Sequence, residues 1–140
     1  MKKILIINGP NLNLLGTRKP KIYGKQSLNE LNEELRAFSF DFNMELTFFQ
    51  SNHEGEIIDL LHKNRLSVDG VILNPGAFTH YSYALRDAIE AVEIPKIEVH
   101  MTDITKREAF RKISVVTDVC VKKYMGEGIE SYKKAISYFK

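Results

Sequence analysis

The chain has 140 residues, 44% apolar and 27% charged, enough for one domain with a sizeable core and too apolar for a disordered chain. Its 20 basic and 18 acidic residues leave a net charge of +2, too balanced to argue for nucleic acid or an anionic membrane as partner. Cys120 is the single cysteine, so no intramolecular disulfide is expected, and a lone thiol suits a reducing cytoplasm.

The opening MKKILIINGP carries a basic start and an apolar run that Asn8, Gly9 and Pro10 break. It is too short for a secretory core, so Ile4 to Ile7 read as a first, buried strand. No segment approaches the length of a membrane span. Ser27 and Glu30 form a capping box, after which Leu28, Leu31, Leu35, Phe38 and Phe42 recur at helical spacing. A second strand is expected from Met44 to Phe49, and a helix around Ile57, Leu60 and Leu61. Asp69-Gly70 turns into a third strand at Val71 to Leu73, with a helix in the 81–92 region. Pro95 opens a fourth strand, Lys96 to Val99, at a position where a missing N–H costs little. Thr105 and Glu108 read as a second capping box before a short helix holding Phe110 and Ile113. A fifth strand near Val119 to Tyr124 leads through Gly126 and Gly128 to a last helix, with Ile129, Tyr132, Ile136 and Phe139 on one face. Strands alternating with helices predict an α/β fold. The expectation is a flavodoxin-like three-layer sandwich around a five-stranded parallel sheet of order 2-1-3-4-5.

In such sheets ligands bind at the carboxyl ends of the strands, near the point where strand order reverses. The unusual polar residues fall there. Asn11, Asn13, Arg18 and Tyr23 follow strand 1. Asn74, Pro75, Gly76 and His80 follow strand 3, and Glu98, His100 and Thr102 end strand 4. Each has a plainer reading: a polar helix start for His80, a satisfied strand end for His100, turn chemistry for Asn74 before Pro75, and solvated loop for Arg18 and Tyr23. Their convergence from three neighbouring strands favours a site. His53 and His62, before and on a helix, have no partner pattern, and the remaining His and Cys make a poor metal set.

Three segments in order, NGPNLNLLGTRKPKIYG, NPGAFTHYSYALRDA and IEVHMT, resemble those of the type II 3-dehydroquinate dehydratases, and the likeness in layout runs nearly end to end. The resemblance implies a single catalytic domain over residues 1–140. It implies a lyase that dehydrates 3-dehydroquinate to 3-dehydroshikimate by anti elimination through an enolate, with no cofactor and no metal. It implies Tyr23 as the base at C2, Arg18 favouring its phenolate, and His100 as general acid oriented by Glu98. Asn11 would hold a water at the enolate. Asn74, Gly76, His80, the backbone of Met101 and Thr102, and Arg111 would grip the substrate. Asp87 would act at a subunit boundary of a homododecamer built from trimers. Free tyrosine ionises near pH ~10, so a neighbouring guanidinium suits such a base, and histidine suits an acid near neutrality. Lys19, Phe78, Tyr81, Asp103 and Lys112-Ile113 depart from the residues frequent in that family. The step is common to aromatic biosynthesis and quinate breakdown.

Two rivals share the fold. A flavin- or nucleotide-binding module needs a small-residue phosphate cradle after strand 1, where this chain has bulky leucines. A phospho-receiver needs acidic residues at the ends of strands 1 and 3, where Asn8 and Asn74 stand.

Overall fold

The computed structural model describes residues 1–17 and 19–140, apart from the side chain of Tyr23. Five parallel strands form one sheet of order β2-β1-β3-β4-β5: β1 (Lys2–Asn8), β2 (Met44–Gln50), β3 (Gly70–Asn74), β4 (Lys96–His100) and β5 (Lys122–Met125). The helices are α1 (Pro20–Tyr23), α2 (Leu28–Ser39), α3 (Glu54–Asn64), α4 (Tyr83–Ala91) and α5 (Ile129–Tyr138).

The apolar run of β1 is continuous because both faces of the strand are covered. Ile4 and Ile6 pack with Leu31 and Leu35 of α2 and with Tyr132 and Ile136 of α5. Leu5 and Ile7 point the other way, onto Ile57 and Leu61 of α3 and Leu85 and Ile89 of α4. All four strand residues are fully buried, and each such side chain contributes roughly 1.5–3 kcal/mol of transfer free energy. The expected apolar face of α5 is present, with Tyr132, Ile136 and Phe139 buried.

Local capping follows the sequence at α2 but not in the chain after β4. Ser27 and Glu30 make both arms of the capping box at 3.1 Å each. The segment 104–113 forms no α-helix. It folds as two 3-10 turns, Ile104–Lys106 and Ala109–Arg111, and Asp103 rather than Thr105 supplies the first cap, accepting from Thr105 N–H at 2.9 Å. Phe110 and Ile113 are exposed there, so no buried stripe rewards a longer helix, and Glu108 turns to Arg111 instead of capping. Val119 ends a further 3-10 turn, Thr117–Val119, and the fifth strand begins later, at Lys122.

Strand order reverses between β1 and β3, where Asn8 and Asn74 lie side by side in register. Two glycines let the chain segments leaving these strands touch. A Cβ on Gly9 would lie 2.5 Å from the Pro75 carbonyl oxygen, and Gly76 holds φ +59° with its Cβ position 3.1 Å from the Pro10 carbonyl oxygen.

Candidate active site

The crevice at this switch point is lined by Asn11, Leu12, Leu15, Asn74, Gly76, His80, His100, Met101, Thr102, Arg107 and Arg111, among others. Most residues expected at a site are therefore brought together. Glu98 stands behind His100, fully buried. Asp87 is exposed on α4, outside the lining of the crevice. Arg18 and the side chain of Tyr23 lie outside the described residues.

Glu98 and His100 are two apart on β4, so both side chains project from the same face. The ring Nε2 of His100 sits 2.5 Å from Oε2 of Glu98. Three hydroxyls complete the surroundings of that carboxylate. Thr79 and Ser114 donate to Oε2 at 2.9 and 2.8 Å, and Thr117 donates to Oε1 at 2.5 Å. Burial pushes the Glu98 carboxyl up, but the hydrogen bond and charge of His100, with the Thr117 and Ser114 hydroxyls, outweigh it and hold the group at about 2. Glu98 is thus a carboxylate throughout the neutral range.

His80 occupies a different environment. Its Nδ1 lies 2.7 Å from the carbonyl oxygen of Ile113, which only accepts, so Nδ1 carries the proton and Nε2 is the acceptor of the neutral ring. Burial lowers its pKa against the opposing pull of that carbonyl, with the positive charges of His100, Arg111 and Arg107 adding to the lowering. Two histidines in one crevice are thereby set apart: His100 rests on a fixed negative charge and His80 is kept neutral.

Asn74 is locked from both ends. Its Oδ1 accepts from Gly76 N–H at 3.1 Å and its Nδ2 donates to the Tyr132 hydroxyl at 2.9 Å. That hydroxyl donates onward to Oδ1 of Asn8 at 2.5 Å. Burial pushes the Tyr132 phenol up, so it stays a donor. Asn11 takes a left-handed φ of 71°, and its N–H donates to Oδ1 of Asn52 at 3.0 Å. Asn52 in turn accepts from Gln50 at 3.1 Å. Arg111 stacks over the Phe110 ring at 4.6 Å and gives its Nε to Glu108 at 2.7 Å.

Sequence reasoning misses several of these partners: Tyr132 as a polar link, the Thr79–Ser114–Thr117 hydroxyls, and the Gln50–Asn52 pair. Tyr132 carries one signal, because a tyrosine on a helix's buried face must find a partner for its hydroxyl. Leu12 and Leu15 turn inward and are buried, filling the space that a phosphate-cradling loop would leave open. Asn8 and Asn74 stand where a phospho-receiver carries carboxylates.

Residues 2–140 match the family described as dehydroquinase class II. A 3-dehydroquinate dehydratase of Bacillus licheniformis is 55% identical over 139 residues, 99% of this chain and 96% of that protein. One from Caldicellulosiruptor saccharolyticus is 57% identical over 133 residues, 94% of this chain and 92% of that protein. The crystal structure of a type II dehydroquinase from Butyrivibrio crossotus is similar with a TM-score of 0.96 at 46% identity, covering 98% of this chain and 96% of that one.

Proposed function

The chain belongs to the dehydroquinase class II family, and from that premise we propose that it dehydrates 3-dehydroquinate to 3-dehydroshikimate by anti elimination through an enolate, with no cofactor. The observation that carries the chemistry is the buried His100–Glu98 pair at the crevice. A carboxylate only accepts, so Nε2 donates to Glu98 and Nδ1 holds the transferable proton. Tyr23, as phenolate favoured by Arg18, takes the proton from C2 and the enolate forms. The C1–O bond then breaks, the Nδ1 proton of the imidazolium goes to the departing hydroxyl, and water leaves. The neutral ring that remains still donates Nε2–H to Glu98.

The other residues bind. Neutral His80 offers Nε2 to a substrate hydroxyl, and Asn74 offers the N–H that Tyr132 does not take. Arg111, with Glu108 on Nε, turns its Nη edge to the carboxylate, a geometry suited to bidentate contact. Gly76 and the backbone N–H groups of Met101 and Thr102 grip the rest, and Asn11 holds a water at the enolate oxygen. Residues 1–140 act as one catalytic domain. The protein assembles as a homododecamer of trimers with Asp87 at a boundary. The exposed Tyr81 and Tyr83 near Asp87 support that assembly, whereas Phe78 packs against the core. The lone cysteine, its thiol pushed by burial to about 12, suits a cytoplasmic setting.

Incubation with 3-dehydroquinate tests the reaction, followed by the ultraviolet absorbance of the conjugated product. Wild type is expected to generate it and Tyr23→Phe to lose orders of magnitude in rate. Among the described residues no lysine lines the crevice, so borohydride quenching is expected to leave the protein mass unchanged. A stable lysine adduct accompanied by lost activity would overturn this mechanism.

A further inference from the structure

The carboxylate behind His100 has donors of unequal standing. Thr79 and Ser114 both reach Oε2 of Glu98, and their own hydroxyl oxygens are 2.9 Å apart. Each hydroxyl has one proton, so this triangle holds two hydrogen bonds and not three. Either residue can therefore stand in for part of what the other does. Among the described residues Thr117 has no such substitute. Its hydroxyl comes from the 3-10 turn Thr117–Val119 and donates to Oε1 on the opposite side of the carboxylate. Thr117 does not line the crevice, and Glu98, fully buried, lies between it and His100.

We propose that Thr117 is a positioning residue for the acid step. By holding Oε1 it fixes the plane of the Glu98 carboxylate, so that Oε2 meets Nε2 of His100 and aims Nδ1 into the crevice. The proposal rests on the reading of His100 as general acid. A buried carboxylate with one oxygen unpaired turns to recover a partner, and the ring it holds turns with it. The effect belongs to proton delivery and leaves the substrate-gripping groups in place.

The test is kinetic, on the full chain with 3-dehydroquinate, with rates normalised to folded protein by circular dichroism. Thr117→Val is expected to lower kcat about tenfold while KM stays within about twofold. Thr117→Ser, which restores the hydroxyl, is expected to recover most of the loss. Ser114→Ala is expected to cost less, because Thr79 remains on Oε2. In a His100→Ala background, Thr117→Val is expected to add nothing, since the two act in one chain. Thr117→Ala gives the same comparison where the valine variant does not fold. Wild-type kcat in Thr117→Val, or in Thr117→Ala where the valine variant does not fold, would overturn the proposal, as would a loss confined to KM, a loss the serine variant fails to recover, or a full further loss on top of His100→Ala. If His100→Ala alone keeps wild-type kcat, the general-acid reading itself falls, an outcome separate from any Thr117 result.

Discussion

At the scale of single residues, the crevice separates two chemically identical side chains by what they rest on. His100 touches a buried carboxylate at 2.5 Å and His80 a backbone carbonyl at 2.7 Å. The first partner is a full charge and the second only a dipole, and burial lowers the pKa of His80, so the two rings suit different roles. His100→Ala is therefore expected to lower kcat by roughly 10²–10⁴-fold with a much smaller change in KM, because a general acid acts mainly in the transition state. Steady-state kinetics on the purified variant checks this, and a rise in KM with kcat intact would make His100 a binding group. Both histidines were legible as candidates because a polar residue at a strand's carboxyl end is hard to explain by packing. Thr79, Ser114 and Thr117 were not, since a hydroxyl is ordinary anywhere in a chain. Their meaning appears only when segments 16 to 19 residues away meet Glu98.

At the scale of elements, signals that depend on neighbours in the chain were readable and those that depend on remote contacts were not. The Ser27–Glu30 box at α2 is local and forms as written. The same pattern at Thr105–Glu108 fails because capping needs a helix worth starting, and Phe110 and Ile113 stay exposed, with no apolar stripe to bury. The link from α5 to the sheet is the remote case. Tyr132 is fully buried and its hydroxyl joins Asn8 at the end of β1 to Asn74 at the end of β3. Residues 58 and 124 positions apart are thereby tied under the crevice floor. Among the described residues Asn8 Nδ2 already has no partner, so Tyr132→Phe would leave Oδ1 of the same buried amide unpaired as well. The ring still packs, so only the polar cost appears, roughly 1–3 kcal/mol of lost stability for a buried group left without its bond. Urea unfolding of wild type and variant measures it. An unchanged midpoint and slope would mean the hydroxyl link contributes nothing.

At the scale of the whole molecule, the site's buried charge becomes a property of folding. The Glu98 carboxyl titrates at about 2 in the folded chain against an ordinary value of 4.5. A depressed folded value means the ionised form is favoured by folding, so the group's contribution is fully present above pH 4.5 and is lost as pH falls through the window from 4.5 to about 2. The size is about 3 kcal/mol, since a tenfold change in proton affinity is worth ~1.4 kcal/mol. Glu30, Glu34, Asp103, Glu108 and Asp118 are also held below their ordinary values, so wild type loses stability in acid for several reasons at once. Those groups are exposed or partly so, and screening by water leaves each a small share. Comparing wild type with the double variant Glu98→Gln, His100→Ala isolates the buried carboxylate, because the surface carboxylates contribute equally to both slopes and the variant leaves no unpartnered ring where Glu98 stood. The stability of wild type is expected to fall more steeply than that of the double variant between pH 4.5 and pH 2. Denaturant unfolding at stepped pH, monitored by circular dichroism, reads the difference directly. Parallel slopes through the acid window would mean that Glu98 titrates in the folded chain much as it does in the unfolded one. The donors around it would then be no more stabilising to the charge than water.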